Sequence, residues 1–219
     1  MPDSNPTSFG LQPIALPDPR LDGGLPLAEA FRRRRTVREF TDEPLPLQVV
    51  GDLLWTACGV NRPDGPFGGV GRTAASASNS QEVEVYVVMR DGAYLYDPAM
   101  HRLLPVASGD HRRIALGARQ ASGGSNAPVR LVYVADLDRL EHTAGFDEPG
   151  LHDPEVQKSY YYVDTGLIAG NVYLFAASRG LGAWFHNCDR AALAAALGLS
   201  NSQRPLFGQT VGYPARPDR

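Results

Sequence analysis

Two polar segments of this 219-residue chain carry the residue types best suited to chemistry. The first, RRRRTVREF over residues 32–40, sets the guanidiniums of Arg32, Arg33, Arg34, Arg35 and Arg38 around the hydroxyl of Thr36. Several guanidiniums beside a hydroxyl at a helix end are what a phosphate monoester needs, because the planar fork donates two parallel hydrogen bonds to one anion. The second, RTAASASNSQ over residues 72–81, offers small side chains and amides that allow a backbone to approach a flat ligand. A weaker cluster, His186, Asn187, Cys188 and Asp189, sits after a predicted strand and before a predicted helix. A thiol and an imidazole this close in sequence are by themselves a weak signal of a catalytic pair. The five histidines show neither HExxH nor HxH spacing, and no metal is expected. GxSxG is absent, and the glycines of GPFGGVGR spell neither GxGxxG nor GxxxxGK[ST]. A serine triad assembled only in space stays open.

Charge narrows the choice of anion. The formal net charge is −3, so removing the five clustered arginines leaves −8 on the rest of the chain. An acidic protein with one cationic site lacks the broad basic surface that nucleic acid requires. No stretch approaches the roughly 20 apolar residues of a membrane span, and the amino terminus lacks the layout of a secretory signal. Two distant cysteines, Cys58 and Cys188, indicate no disulfide framework, and a reduced cytoplasmic chain is expected.

These segments need elements to position them. Residues 1–24 read as an extended, proline-rich arm, and residues 25–219 as one domain, a size that buries roughly 70% of the unfolded surface. Helices are predicted at Leu25–Arg35 and Leu47–Val60, the second with Cys58 on its apolar face. Asn61–Ser80 is a long loop. Glu82–Met89 alternates as a strand, and Asp91–Gly92 turns it into a hairpin with AYLYDP. His111–Gln120 is predicted helical, Leu131–Leu137 extended, and Pro154–Arg179 one long helix stopped by Gly180. Gly182–Phe185 is extended, Asp189 caps a helix through Leu197, and Phe207–Tyr213 is a last strand. The order points to an α+β fold, a mixed or antiparallel sheet flanked by helices. The long helix is apolar nearly all round, which calls for burial in the centre of the packing or in a subunit interface. Asp164 and Asn171 interrupt it and are expected to make buried hydrogen bonds.

Four of these stretches carry a resemblance. RRTVREF looks like the Arg-Arg-Ser/Thr signature of the FMN-dependent nitroreductase family, and ASASNSQ before EVEVYVV is similar to that family's small-residue loop before its first strand. DTGLIAGNVYLFAASRGLG resembles the family's long helix ending in Gly-Leu-Gly, and VGYP its closing strand. Details around PIALPDPRLDGG look closest to the SagB-like branch.

The resemblance implies a nitroreductase-like α+β sandwich, an intertwined homodimer and two FMN molecules at its interface. It places Arg34 and Thr36 at the FMN phosphate or ribityl chain, Arg35 beside them, and Arg38 at the electron-rich edge of the ring. Ala75, Ser76, Ala77, Asn79 and Gln81 would belong to the lining loop. The backbone at Asn187 and Cys188 would face the hydride-accepting nitrogen, and Arg216 would stand in for a carboxyl-terminal phosphate contact. Arg32 and Arg33 exceed the motif and read as solvated helix charges. The implied reaction is ping-pong: NADH or NADPH reduces FMN, which then reduces a small electron-poor acceptor such as a nitroaromatic or quinone. The alternatives are a SagB-like FMN dehydrogenase that oxidises its substrate and a flavin-binding protein without turnover.

Overall fold

Residues 10–121, 127–144 and 152–215 are described by the structure, a computed structural model. Strand β1 (Ile14–Ala15) is followed by helices α1 (Leu27–Arg33) and α2 (Leu47–Cys58). The predicted loop contains two short strands, β2 (Val60–Arg62) and β3 (Gly71–Arg72), which pair with each other. Strands β4 (Val83–Val88), β5 (Gly92–Asp97) and β6 (Arg102–Ser108) form a meander. After these come α3 (Ala118–Ala121), β7 (Val129–Asp136), α4 (Leu137–Glu141), α5 (Pro154–Ser178), β8 (Gly182–His186), α6 (Arg190–Ala196) and β9 (Gln203–Gly212).

Seven strands make one sheet in the order β1-β6-β5-β4-β7-β9-β8, antiparallel at every pairing of these strands. Alternation along the strands feeds two cores. Val83, Val85 and Val87 of β4, with Leu131 and Tyr133 of β7, pack under α2 and α5. Tyr86, Val88, Val132 and Val134 face the other way, toward Leu193 and Leu197 around α6. The sheet is thus covered on both faces, as the α+β reading requires. Cys58 is buried in the first of these cores, as its place on the apolar face of α2 implied.

Several boundaries differ from the sequence reading for identifiable reasons. The first helix stops at Arg33, and Arg34 (ψ 119°) leaves it, because the next residues pair with β8: Thr36 bridges Ala183, and Val37 N–H donates to Ala183 O at 3.0 Å. Tertiary pairing here overrides the helical propensity of four arginines. His111–Gln120 is mostly turns rather than helix, since Gly117 N–H is drawn to Asn187 O at 2.8 Å. Strand β6 escaped the sequence reading because Pro105 interrupts it, a residue tolerated where the neighbouring strand is only two residues long. The described part of the amino-terminal arm lies on its own chain: Ile14 and Ala15 pair with Leu103 and Arg102, and Arg20 clasps buried Asp52 at 2.8 Å.

Helix α5 has the ends that the sequence predicts. Asp153 accepts the Glu155 and Val156 N–H groups, Pro154 occupies the first turn, and Gly180 at φ 70° lets the chain leave. One face is buried on the sheet. The opposite face exposes Val163 (60%) and Leu167 (45%) beside Gly166 and Gly170, where an added Cβ would meet nothing within 4 Å. Near-complete burial of this helix is therefore not achieved within one chain.

Candidate functional site

Arg32 and Arg33 are spent locally: both guanidiniums reach Glu29 at 2.6 Å along the surface of α1. Arg34 and Arg38 differ. Neither pairs with a carboxylate among the described residues, and each rests on an aromatic face, Arg34 5.5 Å above Tyr173 and Arg38 5.9 Å above Trp184. Two exposed cations held by π-faces, and not neutralised by acids, are ready to receive an anion. Arg35 follows Arg34 on the same exposed stretch, and Thr36 lies between the two braced arginines with its Oγ1 3.2 Å from Tyr173 Oη.

Tyr173 is the joint of this half of the site. Its hydroxyl accepts the Phe185 N–H at 2.9 Å and shares a hydrogen bond with Thr36 Oγ1 at 3.2 Å. Sequence reasoning took the long helix as apolar nearly all round and singled out neither Tyr173 nor Trp184, because only the fold brings them to the arginines. Tyr173→Phe leaves the Phe185 N–H without its acceptor, so a loss of about 1–3 kcal/mol is expected. Thermal unfolding checks this, with a fall of roughly 2–4 °C per kcal/mol for a chain of this size.

The Ala75–Gln81 loop forms a second, separate half. Ser78, Asn79 and Gln81 all take positive φ (48°, 56° and 53°), a left-handed backbone that non-glycine residues adopt only when surroundings hold them. Several hydrogen bonds do so. Ser76 Oγ accepts Gln81 N–H, Asn79 Nδ2 donates to Pro66 O and Val70 O, and Gln81 Nε2 donates to Val70 O at 2.7 Å. The two amides hold the loop together, and Ala75 is exposed while Ser76, Ala77, Asn79 and Gln81 are half-buried along it. Ala77 N–H donates to Asp164 of α5 at 2.9 Å, and Asn171 Nδ2 donates to Ala57 O and Thr73 O, so both polar interruptions of the helix make the hydrogen bonds expected of them.

Within one chain the halves hang on different turns of one helix. Asp164 and Tyr173 anchor them nine residues apart on α5, about 13 Å along its axis.

At the end of β8, Asn187 is exposed and Cys188 half-buried, its thiol pushed up to about 11 by burial and so protonated. His186 is buried, and desolvation drives it down to about 4, leaving a neutral ring. Because Asn187 O can only accept, His186 Nδ1 carries the proton it donates at 2.9 Å, and Nε2 accepts from Thr210 Oγ1. With Gly117 N–H on the same carbonyl, the Asn187 peptide is fixed from two sides. Arg216 lies outside the described residues. Among those residues no group of three or more His, Cys, Asp or Glu could hold a metal, and no helix is long and apolar enough to cross a membrane.

Comparison with known proteins gives this arrangement its context. Residues 31–213 match the Nitroreductase family. The chain belongs to that family. A Methanocaldococcus jannaschii protein provisionally named a nitroreductase is 31% identical over 163 residues, 71% of this chain and 75% of that one. A crystal structure from Ralstonia eutropha JMP134, named in the same provisional way, is 34% identical with a TM-score of 0.82, covering 96% of this chain and 94% of its own. The NADPH:FMN oxidoreductase of Vibrio harveyi, solved with NAD+, shares the fold at TM-score 0.57 and 22% identity over 87% of this chain and 70% of its own. The nitroreductase fold is therefore present, and this nitroreductase-family chain is an oxidoreductase.

Proposed function

We propose that the chain is an FMN-dependent oxidoreductase that takes hydride from NADH or NADPH and passes electrons to a small electron-poor acceptor, a nitroaromatic or a quinone. The observation that carries the reading is the pair of guanidiniums, Arg34 and Arg38, without a carboxylate partner among the described residues and braced on Tyr173 and Trp184 around Thr36. This donor set suits FMN: Arg34, Arg35 and Thr36 would hold the phosphate end, and Arg38 would face the ring edge that becomes negative on reduction. Bound FMN supplies the two-electron chemistry, and the protein's task is to bind, orient and shield. The peptide fixed at Asn187 would present backbone to the ring, and Ser76 and Ala77 would lie along its plane.

The same reading takes the protein as a homodimer, and one exposed face supports it. The exposed stripe Val163, Gly166, Leu167 and Gly170 on α5 is apolar and free of bulk, suited to close approach of a second copy. A two-fold partner would also bring its Ala75–Gln81 loop toward this chain's arginine half.

Anaerobic titration of the FMN-loaded protein with NADH and with NADPH tests the reading. Bleaching of the flavin absorbance near 450 nm by either is expected, followed by recovery on adding a quinone. Loaded protein that neither nucleotide reduces would overturn the reductase cycle and favour substrate oxidation by the flavin, while protein that takes up no FMN would sink the whole reading.

A further inference from the structure

Beneath the Ala75–Gln81 loop lie two carboxyl groups that flavin binding does not require. Glu82, which leads from the loop into β4, is 0% exposed. Its Oε2 accepts from Ser80 Oγ at 2.5 Å, while Oε1 is buried without a hydrogen-bond partner. Asp164, 4% exposed, lines the same small cavity and accepts the Ala77 N–H on Oδ2. Two buried carboxylates side by side do not both ionise, and an orphaned carboxylate oxygen is costly.

The other charged and titratable groups nearby do not resolve this. Arg72 of β3 is the cation beside Glu82, but it is itself largely desolvated and its Nε is unpartnered. Cys58 of α2 and Tyr96 of β5, next to Arg72, are kept protonated by burial. Arg139 of α4 is committed to Gln81 O at 2.9 Å and Glu84 Oε1 at 3.1 Å.

We propose that Glu82 and Asp164 hold one proton between them, the Glu82 Oε1–H donating to the Asp164 carboxylate, and that this shared proton positions the Ala75–Gln81 loop for its ligand. The pair then carries a single negative charge, and Asp164 keeps its other oxygen on Ala77 N–H. Loss of the proton to solvent leaves two adjacent charges that push Asp164 away from Ala77. The loop, with three left-handed non-glycine residues, then loses the tether that connects it to α5.

Burial, with the Asp164 charge adding to it, lifts Glu82 to about 7, above its unfolded value of 4.5. A carboxyl raised in the folded state keeps its proton below that value, so the tether is intact at pH 6 and lost as pH climbs through about 7. Glu82 and Asp164 are positioning residues: they act on the ligand through the loop.

The proposal rests on the flavin reading for its ligand but has a readout that does not. FMN is titrated into the apo full-length protein from pH 5.5 to 8.5, for wild type, Glu82→Gln and Asp164→Asn. Amide exchange at Ala77 is followed in the same proteins without FMN. For wild type, affinity about tenfold weaker at pH 8.5 than at pH 6 is expected, as the loop-competent fraction falls. Glu82→Gln should be flat after division by the common ionisation of the FMN phosphate, because its amide donates at every pH. Asp164→Asn keeps an oxygen for Ala77 and should be flat as well. Ala77 exchange should accelerate beyond its intrinsic pH dependence only in wild type. Parallel profiles for wild type and both variants, in binding and in exchange, would overturn the shared proton. If no protein takes up FMN at any pH, the flavin reading fails, and the Ala77 exchange profile alone decides for or against the pair.

Discussion

Arg34→Ala is expected to weaken FMN binding by about 10- to 100-fold, the loss of one charge-assisted contact of roughly 1.5–3 kcal/mol to a phosphate. The size follows from what Arg34 lacks in the free protein. Among the described residues it has no carboxylate partner to leave, and its guanidinium is already held 5.5 Å above the Tyr173 ring, so little binding energy goes into ordering it. Arg38→Ala acts differently, because that cation is assigned to the edge that gains charge. It should weaken binding of reduced FMN more than oxidised FMN, seen as a midpoint potential lower by about 30 mV for each 1.4 kcal/mol of lost stabilisation. Arg32→Ala is the control: its charge is shared with Glu29 on an exposed helix surface, and FMN affinity should change by less than about twofold. Fluorescence titration of FMN into the three apo proteins measures all of this. Equal losses for Arg32 and Arg34 would mean that the run acts only through its total charge.

Gly182→Ala should be the more damaging change to the framework, although it removes nothing. A Cβ there lies 2.8 Å from Val37 Cβ and 3.0 Å from Phe40 Cε1, both on the segment that carries Arg34 and Arg38. The backbone at Ala183 holds that segment through Val37 N–H, so it cannot retreat without breaking its pairing with β8. Overpacking of this kind costs about 1–3 kcal/mol, and a melting temperature lower by roughly 3–10 °C is expected. FMN affinity should fall as well, because the segment shifts as a unit. Gly182→Ala combined with Val37→Ala relieves the contact and should recover part of both losses. A single variant that melts and binds like wild type would show that the segment is not pressed against β8 as the distances require.

What the sequence disclosed and what it hid divide along physical lines. Asp153, Pro154 and Gly180 bounded α5, Asp189 capped α6 through Ala192 N–H, and the period-two pattern of β4 with Asp91–Gly92 gave the hairpin, because each of these signals is local. The division of the arginines was also legible: Arg32 and Arg33 lie three and four residues from Glu29, whereas Arg34 and Arg38 have no acid at helical spacing on their amino-terminal side. Hidden were the features made by distant partners. Tyr173 and Trp184 acquire their roles only when α5 and β8 meet the Arg34–Arg38 segment. Asn79 and Gln81 looked like ligand amides, yet they knit the loop to Pro66 and Val70. Glu82 read as the polar start of an alternating strand, and nothing local marks it as a buried neighbour of Asp164, 82 residues later.

The parallel bridge from Thr36 to Ala183 also sets a schedule for synthesis. The arginine half of the site leaves the ribosome early, but the strand edge that fixes it is made about 150 residues later, on the order of ten seconds or more at roughly 5–20 residues per second. Until then the cationic run lacks the strand edge that draws it out of the helix. The site therefore cannot mature piecemeal during translation; it closes only once β8 and β9 have emerged, and chains truncated before Gly182 would carry the arginines without the surface that arranges them.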